Sequence, residues 1–278
     1  MMTMRPGFMP PFIHPVLGGL ESAGDQHQEA LQGFGSSAFA VEITARAPVQ
    51  TLTTCIGISH LFCSRNIAGS DGLVWQAIES EQRRIKAEMY KFTTCETLTA
   101  IQAMTVYLMM RLIESGPDYF LDNREFLTTL KTLTIHFGRL RPGLFSPPHR
   151  RLSRPTWEEW IFDETRRRMT IVCFLTALVV GTDSCDAIWD PQSMPLPSSK
   201  SLWEARTRWE WEREYEAHWA EAAVDVTRPR LDTIGDLVVV KYGAKGGDWK
   251  ATVDDVLDTW HAGLDGLGML LAAVLVGV

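Results

Sequence analysis

The segment from Thr156 to Gly181 constrains the fold of this chain more than any other. Thr156 and Glu159 have the spacing of a capping box, in which the hydroxyl and the carboxylate each bind a backbone N–H of the first helical turn. Apolar residues then recur at helical spacing from Trp157 and become nearly continuous towards Val179, which is typical of a helix that begins at the surface and ends buried. The pattern predicts a helix that begins at Trp157 and ends at Gly181.

Charged residues of this helix are spaced for pairing. Asp163 precedes Arg167 by four residues and Glu164 precedes Arg168 by four, the order that stabilises a helix by about 0.3–0.5 kcal/mol per exposed pair. We interpret these charges as a self-paired, solvated helix face. The alternative is a buried polar latch against a neighbouring helix or a partner.

The rest of the chain has helical signals and no persuasive strand pattern. Three further pairs have the spacing of capping boxes: Thr93 with Glu96, Asp122 with Glu125, and Ser201 with Glu204. Prolines exclude regular structure from the connector 182–200, and the one β-rich run, Leu237 to Val240, is too short to build a sheet. We therefore predict an all-α fold, an irregular multi-helix bundle.

The N-terminal region differs from the remainder. Its first fifty or so residues lack sustained periodicity and contain several prolines and glycines, which indicates a segment that is mobile or draped over a folded body. We divide the chain into a low-regularity N-terminal segment, residues 1–70, and a helical domain, residues 71–278.

Composition excludes several classes of function. A net charge of −7 argues against DNA binding through bulk electrostatics, which needs a concentrated basic surface. The five cysteines are too few and too scattered for a disulfide scaffold. Cys55, His60 and Cys63 have metal-capable side chains but lack a second ligand pair, so we expect no metal and no cofactor.

The apolar C-terminal run, Leu264 to Val278, is shorter than the about 20 apolar residues that a spanning helix needs, and it contains Asp265 and three glycines. We interpret it as a buried terminal helix that docks onto the core. No membrane association is expected.

An aromatic and acidic segment follows Trp203. Trp211, Tyr215 and Trp219 repeat every four residues and share one stripe, which is typical of a packing seam. Because the segment has more rings than one seam can bury, we predict that at least one ring stays near the surface. A partly exposed tryptophan among carboxylates suggests a docking site for a basic, apolar partner surface. The predicted partner-binding residues are Trp209, Trp211, Glu212, Tyr215, Glu216 and Trp219.

Several segments resemble, in the same order, the regulatory region of fungal zinc-cluster transcription factors. These segments are Glu79–Ile85, Leu98–Leu108, Trp157–Arg168, Leu202–Ala205 and Trp260–Leu271, so that the resemblance covers roughly residues 70 to 278. Its motif residues include Trp157, Trp160, Glu164, Arg167, Arg168 and Trp203. The chain lacks the cysteine-rich zinc cluster with which that family binds DNA.

The resemblance implies an all-helical regulatory domain in the nucleus, often of a secondary-metabolite gene cluster. We therefore expect a transcriptional regulator or co-regulator that acts through a protein partner or a small effector, rather than by direct DNA binding. The partner is another protein or a second copy of this chain. We also weigh a transcription-factor-derived enzyme of fungal natural-product biosynthesis. In that alternative an aromatic-lined helical pocket stabilises positive charge, and Glu164 or Asp265 would move protons if burial raised their pKa.

Overall fold

A computed structural model of the chain describes residues 12–14, 46–64, 71–116, 124–141, 154–180, 191–224, 231–243 and 247–276. Throughout these residues the regular elements are helical, and the only β feature is an isolated bridge between Pro195 and Thr233. The predicted all-α, multi-helix fold is confirmed.

The helices are α1 (Arg46–Ser64), α2 (Asp71–Glu88), α3 (Thr94–Ser115), α4 (Arg124–Leu140), α5 (Trp157–Val180), α6 (Lys200–Trp203), α7 (Arg208–Val224), α8 (Ile234–Gly243), α9 (Gly247–Ala262) and α10 (Gly266–Val276). Short 3-10 turns lie at Met89–Lys91 and Pro191–Ser193. The β-rich run from Leu237 to Val240 lies inside α8, where Leu237 and Val240 are buried and Val239 is exposed.

The chain divides into two compact units. Among the described residues, the first unit contains α1 to α4 and the end of α5 from Thr176. Its centre is α3, which packs against α1 and α4 and is buried almost all round from Cys95 to Met110. A helix enclosed in this way is expected to be hydrophobic on most of its faces, as α3 is.

The core of the first unit also holds polar groups. Arg84 donates from Nε and Nη2 to the two carboxylate oxygens of the buried Glu81, at 2.8 and 2.7 Å, and Nη2 also donates to Thr51. Burial raises the pKa of the nearby Cys55 thiol to about 12 and raises the pKa of Tyr107 as well. These groups therefore stay protonated inside the unit at neutral pH.

The second unit contains residues 12–14, α5 through Leu175, and the described chain from 191 onward. Its aromatic core is one cluster of Trp157, Trp160, Ile161, Leu202, Trp203, Ala205, Trp211 and Tyr215. The α5 start and the α6–α7 region therefore share a core.

The predicted helix starts have different outcomes. Both reciprocal hydrogen bonds of the Thr93–Glu96 and Thr156–Glu159 boxes form, which confirms those predictions. The Ser201–Glu204 prediction is wrong, because Ser201 lies inside the one-turn α6 and Glu204 follows its end.

The box that opens the long helix α7 is Thr207 with Glu210. Glu210 accepts from the Thr207 backbone N–H at 3.1 Å, and Thr207 Oγ1 accepts from the Glu210 N–H at 3.2 Å. A residue pair with the same spacing thus lies six residues downstream of the predicted one. Asp122 lies outside the described residues.

Helix α1 falls within the segment that the sequence indicated to be low in regularity. Its buried residues Thr51, Cys55, Ile58 and Phe62 follow at three- and four-residue intervals and form one stripe, so α1 is amphipathic despite its many threonines. The predicted mobility of the N-terminal region concerns mainly residues 1–11 and 15–45, which lie outside the described residues.

The C-terminal run forms α10, which is buried on one side only. Leu267, Leu271 and Ala272 are buried, whereas Met269 and Val274 are half exposed, so the expectation of a buried terminal helix holds for one face. In the part of the chain that the structure describes, no helix is both long and apolar enough to cross a membrane.

Candidate functional site

A buried ion-pair centre forms around Arg168 in the second unit. The side chains of Glu164 and Arg168 are both 0% exposed, and Arg168 Nε donates to Glu164 Oε1 at 2.9 Å. The interpretation of these charges as a solvated face is wrong, and the alternative, a buried polar latch, describes them. The spacing predicted the pairing of Glu164 with Arg168 but not its burial, which depends on elements distant in the sequence.

The other predicted pair is not formed. Arg167 donates to Glu164 Oε2 at 2.5 Å, and Asp163 pairs instead with Arg166 at 3.2 Å. Both observed pairs join residues three apart, a spacing that also places side chains next to each other on a helix.

The connector before α6 supplies the first outside partner of this centre. Ser198 donates to Glu164 from its backbone N–H, at 2.9 Å, and from its hydroxyl, at 2.8 Å. Its carbonyl oxygen accepts from Arg168 Nη2 at 3.2 Å, and its hydroxyl oxygen accepts from Arg167. Sequence reasoning missed Ser198. The only signal was its place directly after Pro197, since a proline disfavours helical backbone at the residue before it.

The loop between α9 and α10 supplies the second outside partner. Arg168 Nη1 donates to the carboxylate of Asp265, and Asp265 Oδ1 accepts from the Gly268 backbone N–H at 3.0 Å. Asp265 therefore caps α10 while it binds Arg168. One guanidinium links α5, the connector and the start of α10.

Trp203 and His14 complete the centre. The guanidinium carbon of Arg168 lies 4.1 Å from the centroid of the Trp203 ring. The His14 ring meets Trp203 edge-on, with 4.9 Å between centroids and an interplanar angle of 88°. Burial, and next to it the charge of Arg168, lower the pKa of His14 from 6.5 to about 3, although a hydrogen bond to the Trp203 backbone opposes the shift. His14 is therefore neutral at physiological pH.

The geometry of Glu164 and Asp265 suits a structural centre. Each carboxylate accepts hydrogen bonds from a guanidinium and from a backbone N–H, so both are already engaged. The enzymatic alternative needs a carboxylate that faces a substrate, and these two face Arg168. Of the described residues, no group of three or more His, Cys, Asp or Glu side chains is arranged to hold a metal ion.

A second feature lies on α7, the helix that carries the aromatic and acidic segment. We call it the α7 surface and define it by Trp209, Glu212, Arg213 and Glu216. Trp209 is 67% exposed, and the guanidinium carbon of Arg213 lies 5.0 Å from its ring centroid. Glu212 pairs with Arg208 at 2.9 Å, and the exposed Glu216 lies on the same helix. The prediction that one large ring stays near the surface is confirmed by Trp209.

Two further rings of α7, those of Trp211 and Tyr215, do not belong to this surface. Trp211 and Tyr215 are buried in the aromatic core, with ring centroids 4.8 Å apart, and so cannot be reached by a partner from solvent. Their four-residue spacing produced the packing seam that it predicted. The side chain of Trp219 lies outside the described residues.

Arg154 contacts both the buried rings of the packing seam and a residue of the α7 surface. It donates to Glu216 at 3.0 Å, and its guanidinium carbon lies 5.5 Å from the Trp211 ring and 5.3 Å from the Tyr215 ring. Arg154 lies 62 residues before Glu216, so helical spacing could not predict this contact. The ion pair of Arg154 with Glu216 thus connects the α7 surface to the aromatic core.

The fold and these two features define an all-α protein with a buried ion-pair centre and an exposed aromatic and acidic helix surface. Comparison with protein-family models, with curated proteins and with solved structures found no match to this chain.

Proposed function

We propose that this chain is a transcriptional regulator or co-regulator that acts in the nucleus by binding another protein through the α7 surface. The observation that carries the proposal is the 67% exposure of Trp209 among the acidic residues of α7. The sequence resemblance to fungal regulatory regions supports the assignment to transcription, with a secondary-metabolite gene cluster as the expected target.

The composition of the α7 surface suits protein recognition. An exposed tryptophan has a large apolar ring with a polar N–H, and tryptophan is enriched among residues that dominate binding energy. Arg213 covers one face of the Trp209 ring and pairs with Glu214 at 2.8 Å. This cation–π contact favours the observed position of the exposed ring, and a ring partly ordered before binding loses less entropy on association.

The charge of the α7 surface indicates the kind of partner. Glutamates at 210, 212, 214 and 216 outnumber the two arginines at 208 and 213 over the same turns, and with Arg154, which pairs with Glu216, the net charge there is −1. Opposite charge steers association and disfavours wrong partners. The partner surface is accordingly basic with an apolar pocket for Trp209, and it belongs to another protein of the transcription machinery.

A reporter assay tests the proposal. The chain is tethered to a heterologous DNA-binding domain in a fungal reporter strain, as wild type, as Trp209→Ala and as the double variant Glu212→Lys, Glu216→Lys. We expect both variants to lose most of the effect on transcription, because one lacks the anchor and the other reverses the charge around it. Circular dichroism and thermal unfolding check that the fold is retained.

Tyr242→Ala provides the matched control. Tyr242 is also an exposed aromatic residue, 61% accessible, with Lys241 Nζ 5.5 Å from its ring centroid, but it lies on α8. The control is expected to behave as wild type. A wild-type response from both α7 variants would remove this surface from the function, and loss of chain self-association in those variants would identify a second copy as the partner.

A further inference from the structure

A short piece of the N-terminal region is fully packed into the second unit. Phe12 and His14 are 0% exposed and Ile13 is 7% exposed. This tripeptide meets Trp203, which follows it by almost two hundred residues, through the edge-on contact of His14. We call these three residues the N-terminal latch.

The N-terminal latch lies next to the Arg168 centre. Arg168 stacks on Trp203, and His14 contacts the same tryptophan and hydrogen-bonds to its backbone. A neutral imidazole has one N–H donor, whereas the protonated ring has two donors and a positive charge. Burial away from water therefore favours the neutral form of the docked His14 ring.

Arg168 is the charged group that acts on His14. Glu164 and Asp265 also lie at this centre, but both carboxylates contact Arg168, and neither is a cause of the shift in the His14 pKa. A protonated His14 would therefore place a second positive charge beside a buried guanidinium.

We propose that the N-terminal latch is a pH-gated contact, docked on Trp203 while His14 is neutral and released when His14 is protonated. The inference is independent of the α7 surface and of any role in transcription.

The sign of the pH dependence follows from linkage. The pKa of His14 is lowered from 6.5 to about 3 in the docked state, so the released latch binds the proton more readily. Docking is fully favoured above pH 6.5 and weakens as the pH falls towards the docked value. The docking equilibrium should therefore drop about tenfold for each pH unit in this window.

Methyl NMR on the full chain tests the proposal. The Ile13 δ1-methyl resonance, assigned with Ile13→Val, reports whether the latch is docked. Between about pH 7.5 and about pH 5.0, we expect the ratio of released to docked latch to rise roughly thirtyfold. Phe12→Ala serves as the reference for release, since it removes the largest apolar side chain of the latch at every pH.

Two variants separate His14 from other titrating groups. His14→Asn keeps an N–H donor without a charge change, and His14→Phe keeps a ring edge against Trp203. We expect at least one of them to stay docked at both pH values. An unchanged wild-type Ile13 resonance down to about pH 5.0 would overturn the proposal. It would also fail if both His14 variants showed the pH-dependent release of the wild type.

Discussion

The guanidinium of Arg168 lies 4.1 Å from the centroid of the Trp203 ring, and both side chains are buried. A desolvated cation–π contact of this kind contributes about 2 kcal/mol. The same guanidinium donates from Nε to Glu164, from Nη1 to Asp265 and from Nη2 to the Ser198 carbonyl oxygen. Arg168 thus links α5, the connector before α6, Trp203 and the start of α10 within the second unit.

Replacement of Arg168 should be strongly destabilising. Arg168→Ala leaves Asp265 without its guanidinium partner and leaves Glu164 with Arg167 alone, and breaking a buried ion pair costs about 3–5 kcal/mol. Arg168→Lys should lie between this variant and the wild type, because an ammonium lacks the planar fork that reaches three partners. Urea unfolding followed by circular dichroism measures the loss.

Arg208→Ala is the control for this prediction. Arg208 also pairs with a glutamate four residues away on a helix, but its side chain is 57% exposed. Exposed pairs contribute up to about 1 kcal/mol. Equal shifts for Arg168→Ala and Arg208→Ala would mean that the Arg168 centre does not hold the unit together.

The start of α7 gives a second prediction. Thr207→Ala removes the side-chain acceptor for the Glu210 N–H and should lower the free energy of unfolding by about 0.5–2 kcal/mol. Ser201→Ala should cost less, because Ser201 Oγ has an exposed contact with Ser199 Oγ and caps no helix start. Thermal unfolding of both variants compares the two positions, and a larger loss at Ser201 would contradict the assigned start.

Capping-box spacing predicted some helix starts and missed others. The Thr156–Glu159 box needs only four residues, and its reciprocal bonds form as predicted. The Ser201–Glu204 pair has the same spacing but fails, since Glu204 follows the end of α6 and the chain turns before α7. Spacing identifies a compatible cap, whereas the surrounding chain decides which cap is used.

The buried centre could be predicted only in part. Glu164 and Arg168 are four residues apart, so their pairing was visible in the sequence. Asp265 lies 97 residues from Arg168, and Ser198 lies 34 residues from Glu164. The burial of the pair depends on these distant contacts, and helical periodicity contains no information about them.

Two tryptophans provide a third prediction. Trp160 and Trp203 are buried in one aromatic cluster, with 6% and 5% of their surfaces exposed. Either tryptophan replaced by alanine should lower the free energy of unfolding by about 3–5 kcal/mol, from lost burial and the cavity left behind. Trp209→Ala, at the exposed α7 surface, should change stability little. If Trp160→Ala kept the wild-type melting temperature but lost activity, Trp160 would have a direct functional role instead.

The last prediction concerns nucleic acid and metal. The chain has a net charge of −7, and binding to phosphates needs a concentration of basic residues. Zinc needs about four ligands in close approach. We therefore expect no sequence-specific gel shift at physiological salt, with promoter fragments of a secondary-metabolite cluster as probes, and no stoichiometric zinc by elemental analysis. The chain fused to a heterologous DNA-binding domain, with that domain's own target as probe, is the positive control. A specific shift that resists salt would contradict action through protein contact alone, and about one zinc per chain would place a metal site in this protein.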